Sequence, residues 1–253
     1  MAVMRFDVVT LFPEMFAALT GYGVSGRAHE AGIWKLHCWN PRDFSPRKQG
    51  YVDDRPFGGG PGMVMQAEPL MACFKQVEAA LGERAYKILL TPAGKPLTQA
   101  DVMRLAGQRP LCLVAGRYEG IDQRLIEREI NEAFSLGDFV VSGGELPAMM
   151  LIDAILRWIP GVLQDAQSAA QDSFVNGLLD CPHYTRPDVW ENIATPPVLL
   201  GGNHEAIAQW RRDAAIETTW RLRPDLLSRV RAKGLLSAED ERFISALESV
   251  NRR

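Results

Sequence analysis

Three glycine-rich segments hold the pattern with most chemical content: DDRPFGGGPGM at 53–63, GRYEGID at 116–122 and LGDFVVSGGELPAM at 136–149. Glycines let main chain approach a ligand closely, and bare amides and carbonyls recognise a purine edge without side chains. Three such loops together suit an adenosine-containing cofactor, although each taken singly reads more readily as a tight turn. None of them is G-x-G-x-x-G or a P-loop, which removes the support for a dinucleotide-binding oxidoreductase or a nucleotide triphosphatase. Among ionisable residues, Arg157 near a helix end and Asp172 in a polar stretch have structural readings of their own, as a partner of the last carbonyls and as a helix cap. Glu119 is open between a cofactor contact, a carboxylate near a metal and an ion-pair partner. Arg117 is open between RNA and a surface pair. Cys38, Cys73, Cys112 and Cys181 lie far apart with no Cys-x-x-Cys, the pattern of reduced core thiols rather than of disulfides or structural zinc.

The elements that must position these residues follow from hydrophobic periodicity. Runs rich in β-formers at Arg5 to Leu11, Ile33 to Trp39, Lys87 to Thr91, Leu111 to Ala115 and Phe139 to Ser142 predict strands. Helices are predicted at Pro13 to Thr20, Ala67 to Leu81, Thr98 to Gly107, Asp122 to Ile130 and Glu145 to Trp158, where Pro160-Gly161 stops the last. The alternation predicts an α/β fold with a mainly parallel sheet, whose ligand crevice lies beyond the strand ends after Leu90, Val114 and Val141. QDAQSAAQDS at 164–173 has no apolar period and reads as a linker. Beyond Asn203 the chain is helical, with Trp210, Ile216, Trp220, Leu226 and Leu227 as core candidates and a last helix opened by SAED at 237–240, a capping box with Asp for Glu.

With 253 residues, 47% of them apolar, the chain can bury one sizeable core and a smaller second one. No run approaches the roughly 20 apolar residues that span a bilayer, and Asp7, Pro13 and Glu14 interrupt the start where a signal peptide stays apolar. A cytoplasmic protein with no membrane contact is expected. The net charge of -3 argues mildly against nucleic acid gripped by bulk charge. From Gly201 onward, however, there are 10 Lys and Arg against 8 Asp and Glu, and before it 18 against 23.

Taken in order, LFPEMF at 11, CWNPRDF at 38, the three glycine loops, RWIPGVL at 157, QDSF at 171 and LLDCPHYTRP at 178 resemble the bacterial tRNA (guanine-N1)-methyltransferases of the SPOUT superfamily. The resemblance runs to about Pro197 and, more loosely, through the helical tail. It implies an α/β fold with a mainly parallel sheet and a deep C-terminal trefoil knot, followed by a small all-helical domain. The implied domains are a knotted methyltransferase domain at 1–162, a linker at 163–173 and a helical tRNA-binding domain at 174–253. The implied reaction is S-adenosylmethionine-dependent methylation of N1 of the guanosine immediately 3′ of the anticodon.

Carried onto matching positions, the resemblance implies donor binding by Pro92, Gly116, Tyr118, Glu119, Leu136, Gly137, Val141, Gly143, Gly144 and Pro147. It implies catalysis by Asp172 as the base that removes the N1 proton and by Arg157 as the cation that stabilises charge growing on O6. Ser173, Asp180 and His183 fall where the family touches the substrate base or orders the linker, His183 being equally a satisfied histidine beside Tyr184, and Arg117 joins them as a candidate substrate contact. The resemblance further implies homodimers with shared active sites, which spreads the contacts to tRNA over two chains, and a dependence on Mg2+ with ligands unknown here. Two departures are visible: Ser142 stands where threonine is usual, and QDAQSAAQDSF is less acidic than in many relatives. Competing readings are another SPOUT RNA methyltransferase, acting on a ribose or a different guanosine, and a noncatalytic RNA-binding protein.

Overall fold

A strand that is apolar on both faces belongs in the middle of a covered parallel sheet, and LCLVA at 111–115, buried throughout, is the clearest such run. The computed structural model describes residues 3–108, 110–165 and 167–250. Ala166 of the expected linker and the extreme ends of the two expected domains lie outside the described residues. The chain forms two compact units, Met1–Ala166 and Gln167–Arg253. In chain order the first carries β1 (Met4–Val9), a 3-10 turn (Pro13–Phe16) running into α1 (Ala17–Thr20), α2 (Gly23–Glu30), β2 (Trp34–Trp39) and a second 3-10 turn (Pro41–Phe44). Then come β3 (Asp53–Asp54), β4 (Val64–Met65), α3 (Ala67–Leu81), β5 (Tyr86–Pro96), α4 (Gln99–Ala106), β6 (Leu111–Ala115), α5 (Gln123–Glu129), β7 (Glu132–Ser135) and α6 (Glu145–Leu156).

The main sheet is five-stranded and parallel, in the order β2-β1-β6-β5-β7, while β3 and β4 form a separate antiparallel pair. Alternation along the strands divides their side chains between two cores. Phe6, Val8, Ile88, Leu111 and Leu113 pack with Leu151 and Ile155 of α6; Val9, Leu89, Cys112 and Val114 pack with Leu70, Phe74 and Val77 of α3. Each fully buried side chain of this size contributes roughly 1.5–3 kcal/mol. Three of the four thiols sit in or beside these cores, and Cys181 is buried in the second unit. Burial pushes Cys38 up to about 11 and Cys73 up to about 12, and raises Cys112 as well.

One predicted strand is wrong. Phe139 to Ser142 is an irregular segment, with Phe139 58% and Val140 84% exposed, and the fifth strand is the more polar Glu132–Ser135, paired through Ile88↔Glu132 and Leu90↔Phe134. A run of three apolar residues fits a strand or a ligand-facing loop equally, and the partner strand decides which stretch is paired. The short helix α2 was also not predicted.

In the second unit, α7 (Gln167–Ala170) is followed by the hairpin β8 (Val189–Trp190) and β9 (Ile193–Ala194), a 3-10 turn (Pro197–Leu200), α8 (His204–Leu222), α9 (Pro224–Ala232) and α10 (Ala238–Val250). The hairpin turns through Glu191 and Asn192, both with positive φ as such a tight reversal requires. Leu178, Ile216, Leu227, Val230 and Ile244 form the core, with Trp220 against it. The predicted box at the start of α10 is present: Ser237 N donates to Asp240 Oδ2 at 2.8 Å and Asp240 N to Ser237 Oγ at 3.1 Å. No helix among the described residues is long and apolar enough to cross a membrane.

Candidate active site

The strands β5, β6 and β7 lie side by side and point the same way, so the segments leaving their carboxyl ends converge. They enclose a cleft of about 420 Å³. Its walls are Leu89 to Ala93, where β5 breaks its register, Gly116 to Ile121 after β6, and Leu136, Gly137 and Phe139 to Gly144 between β7 and α6, with Pro147 from the first turn of α6. All ten positions assigned to donor binding line it: Pro92, Gly116, Tyr118, Glu119, Leu136, Gly137, Val141, Gly143, Gly144 and Pro147. Thr91, Ile126 and Phe134 also line it and were not singled out from sequence. Thr91 follows the apolar run of β5 and Phe134 lies near the end of β7, which is the available signal, whereas Ile126 comes from α5 and carries none.

Local geometry explains how these loops hold their shape. In the 116–122 loop, Glu119 N donates to Met63 O at 2.9 Å, and Met65 N donates to Gly120 O at 2.9 Å, so β4 and its lead-in brace the loop. The 53–63 loop does not line the cleft. It packs behind it, where a side chain on Gly62 would collide with Glu119. Tyr118 adopts a positive φ of 60°, and burial, followed by the charge of Asp53, raises its phenol above the ordinary range. Gly144 N donates to Gly116 O at 2.8 Å, and a Cβ on Gly144 would stand 2.6 Å from Ala115 Cα, so α6 starts directly against the end of β6.

Arg117, assigned to RNA or a surface pair, turns toward the protein. Its Nε donates to Glu145 Oε2 at 2.8 Å and its guanidinium lies 4.4 Å from the Phe12 ring centre. Arg157 is the exposed C-cap of α6. It continues a surface stripe with Leu146, Met150 and Asp153, all exposed at helical spacing.

In the second unit, Asp172 and Ser173 begin a loop that doubles back at Phe174, whose φ is 72° and whose N donates to Leu178 O at 2.6 Å. Ser173 Oγ accepts from Asp180 N at 2.9 Å, and Asp180 Oδ2 meets His183 Nε2 at 2.9 Å. Asp172, Ser173, Asp180 and His183 thus share one segment, whereas Arg117, the other candidate substrate contact, lies in the first unit. Asp180, Cys181 and His183 present ligand atoms within 4.8 Å of one another. One carboxylate, one thiol and one imidazole make a soft donor set, unlike the oxygen cage that magnesium takes.

A family model described as tRNA (Guanine-1)-methyltransferase TrmD matches residues 4–229. The chain belongs to this family. It is 56% identical over 244 residues to a tRNA (guanine-N(1)-)-methyltransferase of Ralstonia nicotianae, covering 96% of this chain and 93% of that protein. A protein of the same name from Cupriavidus metallidurans is 56% identical over 249 residues, covering 96% and 95%. One from Burkholderia multivorans is 54% identical over 247 residues, covering 96% and 94%. The TrmD family model spans the α/β unit that contains the cleft from the start of β1 and continues into the helical unit, ending within α9.

Proposed function

We propose that this protein methylates N1 of the guanosine immediately 3′ of the anticodon in tRNA, with S-adenosylmethionine as donor. The observation that carries the reading is that one cleft is lined by all ten positions expected to hold the donor. The cleft suits that ligand: Leu89, Ile126, Phe134, Val141 and Pro147 supply apolar wall for a purine, and the glycines bare main-chain groups for its polar edge. Bound there, S-adenosylmethionine would supply an electrophilic methyl on a sulfonium. The cleft would belong to a deep trefoil knot in the C-terminal part of the α/β domain.

The chain's own residues do the rest. Guanine N1 carries a proton at neutral pH and is a poor nucleophile. Asp172 accepts that proton as N1 takes the methyl. Negative charge moves onto O6, and the Arg157 guanidinium donates to it most strongly in the transition state. Ser173, Asp180 and His183 order the loop that presents Asp172 and contact the base.

The active unit in this reading is a cytoplasmic homodimer, in which one subunit's cleft faces the other's Asp172 loop and helical tRNA-binding domain. Exposed Leu146 and Met150 on the stripe that ends at Arg157 support it, because covering exposed apolar side chains against a second copy favours self-association. A requirement for Mg2+ is part of the proposal, with ligands outside the Asp180 cluster.

The test is transfer of labelled methyl from S-adenosylmethionine to unmodified tRNA with guanosine 3′ of the anticodon, followed by nucleoside mass mapping. N1-methylguanosine at that position is expected. A methyl on a ribose or another base would overturn the substrate, and no transfer would overturn the enzyme.

A further inference from the structure

Glu145 opens α6 with its carboxylate fully buried, and a buried charge persists only where its oxygens are partnered. Oε1 accepts from Thr10 Oγ1 at 2.9 Å, at the end of β1, and Oε2 accepts from Arg117 Nε at 2.8 Å. Thr10 Oγ1 in turn accepts from Phe12 N at 3.0 Å. Arg117 spends its remaining face on the same neighbourhood. Its Nη1 donates to Ser142 O at 3.1 Å, its Nη2 reaches Met15 Sδ at 3.7 Å, and its plane lies over Phe12. Gly143 lies against the arginine so closely that a side chain there would collide with it. One buried carboxylate therefore fixes one guanidinium, which ties together the 116–122 loop, the 136–147 loop and the LFPEMF segment.

We infer that Glu145 is a positioning residue for the donor cleft, acting through Arg117 to hold the Ser142 carbonyl and the two walls that meet beside it. The inference rests on the reading of the cleft as the S-adenosylmethionine site. It gives Arg117 an internal task in place of a contact with RNA. A planar fork is what the task requires, because the arginine must engage a carboxylate and a carbonyl in fixed directions.

Two variants of the full-length protein test it. Glu145→Gln keeps the shape but removes the charge, and Arg117→Lys keeps the charge but removes the fork. Affinity for S-adenosylhomocysteine, measured calorimetrically, is expected to fall roughly ten- to a hundredfold in each, the scale of a lost buried charged hydrogen bond. The double variant should fall no further than the weaker single one, since both break one linkage. Affinity for tRNA and its salt dependence should stay those of the unaltered protein. Unchanged S-adenosylhomocysteine affinity in either folded variant overturns the inference, as does a loss confined to tRNA. Arg117→Lys decides alone if Glu145→Gln does not fold. If the unaltered protein itself fails to bind S-adenosylhomocysteine, the reading of the cleft falls and takes this inference with it.

Discussion

In the proposed reaction Asp172 takes the proton and Arg157 answers the charge, and each assignment makes its own demand on a variant. Asp172→Ala should retain S-adenosylhomocysteine binding yet lose methyl transfer by at least about a hundredfold, the usual worth of a positioned base. Single-turnover transfer with saturating donor measures this, and full activity would remove Asp172 from the base role. Arg157→Ala should slow transfer by roughly a hundred- to a thousandfold, the cost of removing a donor aimed at a developing oxyanion. Its circular dichroism should keep the parent's folded signature, because Arg157 is exposed at the end of α6 and outside the core. Both assignments rest on the motifs around the residues. Neither has a residue type or spacing that would have marked it without the flanking RWIPGVL and QDSF.

The start of α10 isolates a cap whose worth is measurable. Ser237→Ala should cost about 1 kcal/mol in urea unfolding. Asp240 accepts from Ser237 and is gripped by Arg212, with Nη2 to Oδ2 at 2.8 Å, and that guanidinium holds its carboxyl below the ordinary 3.8. A folded-state value below the unfolded one means stability that is full above the unfolded value and drains as pH falls through the folded one. The stability gap between the parent and Asp240→Asn should thus be constant near neutrality and close below about pH 4. A gap that widened in acid would contradict the ion pair. The same cap was readable in SAED because local chemistry decides it. β1, β6 and the first part of β5 are readable because burial on both faces writes nearly continuous apolar runs, and the edge strand β2 because its apolar residues alternate with exposed Lys35 and His37. The fifth strand was not. Glu132 looks like a loop residue until Tyr86, Lys95 and Arg104 close around it, and FVV looks like a strand until the cleft claims Phe139, Val140 and Val141. Hydropathy records what avoids water without recording which neighbour supplies the cover.

At the scale of the molecule, the stripe of Leu146 and Met150 carries the homodimer proposal. Met150→Asp should convert a dimer to a monomer in light scattering and abolish transfer with it, since the base and the cleft would no longer meet. A dimer that survives the charge would move the interface elsewhere. The cleft has a different consequence, for heredity. Gly143 and Gly144 leave no room for a side chain, the first against Arg117 and the second against the main chain of Ala115. Every missense change of a glycine codon adds at least a methyl group. A competitor shaped to this stretch of wall therefore meets a surface that a lineage can scarcely redraw by single mutations without distorting the cleft itself, and escape would have to arise at the rim or through changes in how much protein is made.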